Sequence, residues 1–342
     1  MDDHILPGVS AGGKRLPVES AMRSVALCGS GLSVRVQYLI LKGCDRVLCR
    51  IKHRGFRRVC HLMSPFFPRD NSAIAELHGR RIRVFLNDDY WVKYALFGCT
   101  YEMEVANVLD QLLDRRAVFL DCGANIGYWS VYAGKKVGSR DRVLAVEPSE
   151  STFARLAENS QLNCRSFSVV RKAVYSRSGE SLQFRVDAAH HDSNSIIHDG
   201  VAGRVEPVDS VTIDDLFESL SISEDAVSNI VVKLDVEGAE REAFQGAQRL
   251  INRGAVFIYE DHGCDPTCAS TDFALRSGLE VYFLQTEMEP IQILDLKQLA
   301  ALKTCSTKGY NLVGARPDSV AMTRLIASLT GRIGNEVSVE AY

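Results

Sequence analysis

The chain lacks any run of roughly 18 consecutive apolar residues, which excludes a transmembrane helix. It also lacks a C-x-x-C pair. The ten cysteines are scattered, and Cys264 and Cys268, the nearest two, have no second pair at finger-like spacing. A zinc-finger framework is thereby excluded, and reduced, mostly buried thiols are expected. Neither sign of charge is in excess: 40 Lys and Arg stand against 43 Asp and Glu, for a net charge of −3. With a pI near 6.3 there is no whole-chain footprint for nucleic acid, so none is expected among the partners. The first residues, Met1-Asp2-Asp3-His4, lack a basic segment followed by an apolar one and do not read as a secretory signal. These absences together describe a cytoplasmic enzyme.

What is present is a globular composition, 46% apolar over 342 residues, enough for one large domain with an appendage or for two domains. The most informative stretch is 117–148, AVFLDCGANIGYWSVYAGKKVGSRDRVLAVEP. Residues 117–121 are a short apolar run ending in Asp121. The glycine turn Cys122-Gly123-Ala124-Asn125-Ile126-Gly127 follows, then a predicted helix over 128–136 and a second apolar run ending in Glu147. Short apolar runs bounded by turn signals fit buried strands of a parallel sheet, so the stretch reads as a βαβ unit. Gly123 and Gly127 allow positive φ and close approach of backbone to a ligand. Glu147, ending the second strand, can accept both hydroxyls of a ribose, which makes this a nucleoside site. Asn125 stands where a dinucleotide fingerprint would place its second glycine. A cofactor without a pyrophosphate is therefore favoured, and Asp121 is placed to meet an amino acid ammonium. The candidate cofactor is S-adenosylmethionine (SAM) rather than NAD.

Outside this unit, residues 1–30 carry glycines and prolines that break any long period and predict a poorly ordered tail. Residues 34–41 read as a strand or the start of a helix. The locally basic run 45–61 suits either an anionic acceptor or membrane surface, or a solvated helix face whose apolar side (Val47, Leu48, Ile51) packs on the main domain; the second reading is preferred. Residues 79–96 read as paired strands turning at Asn87-Asp88-Asp89, and 101–113 as a helix, together a small cap at the pocket mouth. Beyond Glu147 the pattern predicts a helix to about 163 and a third strand at 167–170. Ala173 follows where an adenine edge could rest, and an antiparallel excursion is expected at 181–186 and 205–211. His190 and His191 fall between these as a polar loop. Residues 229–236 form another buried strand, Glu237-Gly238-Ala239-Glu240 opens a helix, and 255–260 is the next strand. Asp121, Glu147, Asp235 and Glu260 thus end four strands, and in an open α/β sheet ligands bind beyond those ends.

The pieces Phe119-Leu120-Asp121-Cys122-Gly123-Ala124-Asn125-Ile126-Gly127, Val146-Glu147-Pro148, Lys233-Leu234-Asp235-Val236-Glu237-Gly238-Ala239-Glu240 and the strand ending at Glu260 resemble the FkbM family of SAM-dependent methyltransferases. The lead-in Tyr90-Trp91-Val92-Lys93-Tyr94 and Tyr101-Glu102 is similar too, so the likeness covers about 80–315; Cys122 departs from a common valine. The resemblance implies a Rossmann-like class I methyltransferase, a seven-stranded, mostly parallel sheet with helices on both faces; residues 1–75 fall outside it and are expected to add an N-terminal strand and helix extension. Expected divisions are an N-terminal extension at 1–75, lead-in elements at 76–116, the catalytic domain at 117–318, and a C-terminal helix and tail at 319–342. It also implies O-methylation of a hydroxyl on a sugar, glycan or polyketide-like molecule. Expected cofactor contacts are Asp121, Gly123, Asn125, Gly127, Glu147, Ala173 and Asp235.

Methyl transfer to an alcohol gains from alignment and from a base near the acceptor, for which Asp235, Glu237 and His262 are the candidates. Asp235, Glu260 and Asp261 resemble the strand-end acids that hold Mg²⁺ in catechol-type O-methyltransferases, but no required metal is expected. An NAD-dependent oxidoreductase and a non-catalytic SAM-binding protein remain alternatives.

Overall fold

A computed structural model describes residues 25–29, 31–51, 53–77, 79–186, 195–196 and 204–331. The two histidines at 190 and 191 lie outside these residues. Eight strands form the main sheet: β1 (Val118–Cys122), β2 (Val143–Val146), β3 (Ser168–Val170), β4 (Ile230–Leu234), β5 (Val256–His262), β6 (Glu280–Phe283), β7 (Ile291–Ile293) and β8 (Gly309–Ala315). Their spatial order is β3-β2-β1-β4-β5-β8-β6-β7. β3, β2, β1, β4 and β5 run parallel, and β8 inserts antiparallel between β5 and β6. Every residue of β1, β2 and β4 is buried, because helices cover both faces. Alternate residues of β1 serve opposite cores: Phe119 packs with Val131 and Leu109, and Val118 and Leu120 with Phe244 and Leu250. The expected α/β architecture is present. It carries one strand more than the seven expected, because β7 pairs antiparallel with β6 and closes that edge.

The chain leaves β1 for β2 and β3 on one side and returns to β4 and β5 on the other. The switch point between β1 and β4 opens a crevice at the carboxyl ends of these strands. A second sheet, ordered Ala173–Val174, Arg204–Val211, Ser181–Val186, Ser195–Ile196, holds the expected antiparallel excursion.

Four local readings change. The segment after Arg80–Phe85 is not a strand: Asp89–Trp91 is a helical turn that runs into a π-helical turn at Val92–Leu96. Its aromatic alternation imitates a strand, but Asp88 caps the turn by accepting from the Trp91 amide. The partner of Arg80–Phe85 is instead Ser72–Leu77, which runs across the 75/76 division and also pairs with Val25–Cys28. A strand therefore stands inside the expected tail. The helix after Glu237 is broken into Glu240–Gln245 and Gln248–Asn252; Gly246 lies between them, where a Cβ would come 2.4 Å from the Tyr175 carbonyl. Finally, of the apolar residues expected to pack on the main domain from the basic run, Val47 and Ile51 are exposed, at 65% and 50%. Gly31–Leu48 is one helix, which settles residues 34–41, and it buries a different side through Val34, Gln37 and Leu41.

The N-terminal elements are tied down by polar contacts. His53 Nε2 lies 2.6 Å from Asp45 and the Cys99 thiol 3.5 Å from the same ring. Asn159, fully buried in the helix Glu150–Leu162, accepts from the Arg83 amide (2.7 Å) and donates to the Ile126 carbonyl (2.8 Å). It thus joins the N-terminal sheet to the glycine turn. Asn159→Ala leaves a buried amide and a carbonyl without partners, a cost of about 2–4 kcal/mol. The expected result is a lower denaturation midpoint in urea, with the Arg83 amide exchanging faster than the amides of β1.

Candidate active site

Elements from both halves of the sheet converge on one cavity beyond the carboxyl ends of β1, β2, β4 and β5. Of the expected residues, Asp121, Gly123, Asn125, Glu147, Ala173, Asp235, Glu237 and His262 all line it. Gly127 does not. It takes φ +90° as the N-cap of Tyr128–Val137, and a Cβ there would meet Leu156 at 2.7 Å, so it closes the turn.

The turn after β1 is built to meet its neighbours. Gly123 has φ +80°, and a Cβ on it would lie 1.8 Å from the Asp235 carbonyl, so the loops after β1 and β4 touch backbone to backbone. Glu147 accepts from the Asn125 amide at one oxygen and from the Ser149 amide at the other, both at 3.0 Å. These bonds fix the carboxylate at the end of β2 and leave a second lone pair on each oxygen for a ligand. Burial pushes its pKa up to about 7 against those two bonds.

At the centre lies Lys233, 3% exposed, on β4. Its ammonium is 2.8 Å from Asp235 Oδ2. Burial works against the charge, but Asp235, Glu102 and Asp121 together hold the lysine protonated well above its usual range. Burial likewise opposes ionisation of Asp235, and Lys233 overcomes it, so the Asp235 pKa is lowered. The other acids have less compensation. Asp121, which accepts from Ser130 Oγ at 2.5 Å, is raised by burial, and Glu102 likewise. Glu260 is raised to about 9 by burial, then by Asp235 and Glu102. Four carboxyls, Asp121, Glu102, Asp235 and Glu260, therefore surround one buried ammonium, an arrangement that favours a cationic ligand.

Several participants were not singled out by sequence. Glu102 accepts from the Trp129 indole at 2.8 Å and lines the cavity. The Asn125 side chain accepts from the Trp91 indole at 3.1 Å, and both residues line the cavity. Trp91 stacks on Tyr128, and Tyr101 on Trp129, so the lead-in elements form an aromatic wall of the cavity rather than a cap at its mouth. Gly309 on β8 borders the site because the Glu260 carboxyl occupies the place of its absent Cβ, 0.9 Å from the ideal position. Lys172, Val174 and Phe184 flank Ala173. The sequence marked Tyr90–Tyr94 and Tyr101-Glu102 only through the family resemblance, which gave them no role in the site.

The expected helix-opening acids divide. Glu240, 2% exposed, accepts from the Val236 and Gly238 amides and shapes the loop, with its pKa pushed by burial to about 7. Glu237, at φ +53°, faces the cavity. His262 lies 3.7 Å from Glu260. Asp261 points to the opposite side of β5, where Lys303 and Thr271 hold it at 2.6 Å each. The period of two along a strand forbids Glu260 and Asp261 from sharing a face, so the three acids compared with a Mg²⁺ set do not converge.

Residues 121–277 match the family described as Methyltransferase FkbM domain. The chain is 28% identical over 196 residues to hexuronic acid methyltransferase AglP of Haloferax volcanii, covering 56% of this chain and 76% of that protein. Among solved structures, Methyltransferase FkbM from Methylobacillus flagellatus KT aligns with 16% identity and a TM-score of 0.36, over 67% of this chain and 59% of that one. A TehB-like SAM-dependent methyltransferase from Corynebacterium glutamicum aligns with 15% identity and a TM-score of 0.37, over 66% and 94%.

The raised carboxyls have a consequence for stability. Each stabilises the fold while protonated. That contribution is complete below the ordinary value of 4.5 and is lost as pH rises through about 7 for Glu147 and Glu240 and about 9 for Glu260. The ligand-free protein should lose stability from acid toward alkaline pH. Glu260→Gln should raise the melting temperature at pH 8 and change it little at pH 5, as followed by calorimetric melts across that range.

Proposed function

From the FkbM methyltransferase domain at residues 121–277 as premise, we propose that the protein is a SAM-dependent O-methyltransferase acting on a hydroxyl of a sugar, glycan or polyketide-like acceptor. The observation that carries the cofactor reading is the excess of buried carboxyls over the single ammonium of Lys233. SAM offers a sulfonium and an ammonium to such a site, whereas a pyrophosphate would add two further negative charges. The residues present fit the rest of SAM as well. Glu147 offers acceptors for a ribose diol, Ala173, Val174 and Phe184 an apolar edge for adenine, and Asp121 and Asp235 the charge for an ammonium. The sugar acceptor is supported by the Haloferax volcanii relative, a hexuronic acid methyltransferase.

Bound SAM supplies an electrophilic methyl group. The chain supplies position and proton handling. The aromatic wall of Tyr90, Trp91, Tyr101, Tyr128 and Trp129 excludes water and gives the acceptor a flat apolar surface. Asp235 is held ionised by Lys233, and its lowered pKa makes it a weak base, so its role is to hold cofactor charge. His262 is the base in this reading. It faces the cavity, and the imidazolium formed on taking the hydroxyl proton would sit against Glu260, 3.7 Å away. Glu237 faces the same space and serves to orient the acceptor.

Calorimetric titration with SAM, S-adenosylhomocysteine and NAD tests the reading. Both sulfur nucleosides should bind and NAD should not; NAD binding alone would favour the oxidoreductase. Asp121→Ala and Glu147→Ala should each weaken SAM binding by about 2 kcal/mol or more, since each removes charge-assisted contacts. Affinity should fall below about pH 7 as Glu147 gains its proton, and Glu147→Gln should flatten that dependence. His262→Gln should leave SAM affinity unchanged and lower kcat by about 100-fold. A loss of SAM affinity with unchanged kcat would remove His262 from the role of base.

A further inference from the structure

The large apolar side chains that the described residues expose are not spread over the surface. Eight of twelve lie between residues 32 and 66: Leu32, Val36, Leu39, Ile40, Val47, Ile51, Leu62 and Phe66. Five of these belong to the helix Gly31–Leu48, at positions 32, 36, 39, 40 and 47, spacings that bring them onto one stripe. The opposite side of that helix is already occupied, through buried Val34, Gln37 and Leu41. The helix therefore has two apolar faces, of which the fold uses one.

Charge is as uneven as hydrophobicity. Residues 31–66 hold eight Lys and Arg and one acid, Asp45, for a net +7 in a chain whose total is −3. Arg35, Arg46, Arg50, Arg54 and Arg58 are exposed, and none has an ion-pair partner among the described residues. Exposed apolar side chains interleaved with unpaired arginines fit a layer that is hydrocarbon below and anionic above. A second copy of this face would bring two sets of unpaired arginines together, and a nucleic acid would leave the leucines in water.

We propose that the exposed face of residues 31–66 docks the protein onto an anionic phospholipid bilayer, lying in the interface plane. No helix among the described residues is long and apolar enough to cross a membrane, so the association is peripheral. Phe56 and Tyr38 each contact the Phe97 ring, with centroids at 6.0 and 6.2 Å, and the helix Phe56–Met63 packs on Asp89–Trp91. The docking face thus backs directly onto the aromatic wall of the cavity.

Flotation of the full-length protein with phospholipid vesicles tests this without any reading of methyl transfer. Vesicles of phosphatidylcholine are compared with vesicles containing one-third phosphatidylglycerol. The wild type should partition onto the anionic vesicles at least about tenfold more strongly, and added salt should weaken the binding. Arg50→Glu with Arg54→Glu should lower the anionic partition by about tenfold or more. Leu32→Asp with Leu39→Asp should abolish it. All four side chains are exposed, so both variants should melt with the wild type. Equal partition onto the two vesicles, no partition, or variants that float like the wild type would overturn the proposal. So would a dimer in sedimentation equilibrium that the Leu32 and Leu39 changes dissociate while vesicles fail to bind, since the face would then belong to a second copy.

Discussion

The ammonium of Lys233 is the interaction on which the site depends. A lysine buried on the central strand of a sheet is costly to desolvate, and it remains charged because carboxyls from β1, β4 and the aromatic lead-in surround it. Its bond to Asp235 fixes the loop after β4. That loop presses its backbone on Gly123, which sets the turn after β1, whose Asn125 holds Glu147 on one side and Trp91 on the other. One charge therefore organises the ends of three strands and one wall of the cavity. Loss of Lys233 alone would leave the acids facing each other with no counter-charge, which is why no residue in this group can be assigned an independent contribution.

Much of this was legible in the sequence because parallel strands buried on both faces leave a plain mark: short apolar runs, each ending in an acid. The turn after β1, the acids at 121, 147, 235 and 260, and the block from Lys233 to Glu240 all could be placed from spacing. What could not be placed was long-range. Nothing near Glu102 announces that its carboxyl will reach Trp129 and the neighbourhood of Lys233. Tyr90-Trp91-Val92 alternates as a strand does, and only the Asp88 cap and the packing of the indole on Tyr128 decide for a helical turn. Asp261 is different. Its orientation away from Glu260 follows from strand period alone, and applying that period to the acids after residue 259 would have separated them.

The N-terminal elements share the apolar core of the domain through Val34, Leu41, Phe56, Ile82 and Val84, and polar contacts add to this: a histidine between a carboxylate and a thiol, and two asparagines on the edge of a strand. The helix Phe56–Met63 also packs on Asp89–Trp91, and Trp91 is hydrogen-bonded to the turn that would carry the cofactor. Sheet, helix pair and aromatic wall therefore make one connected layer between the outer surface of residues 31–66 and the cavity. The helix stripe is exposed because the domain beneath it is already satisfied.

The packing of Gly309 under the Glu260 carboxyl also constrains how this protein can change over generations. The glycine offers no side chain for selection to act on, yet any larger residue there evicts the acid, and a smaller residue at 260 leaves a hole against the cavity. Position 309, on a different strand, is therefore held to glycine for as long as Glu260 keeps its place. A change at 309 therefore has to wait for a change at 260, which fixes the order in which this corner of the cavity can be altered.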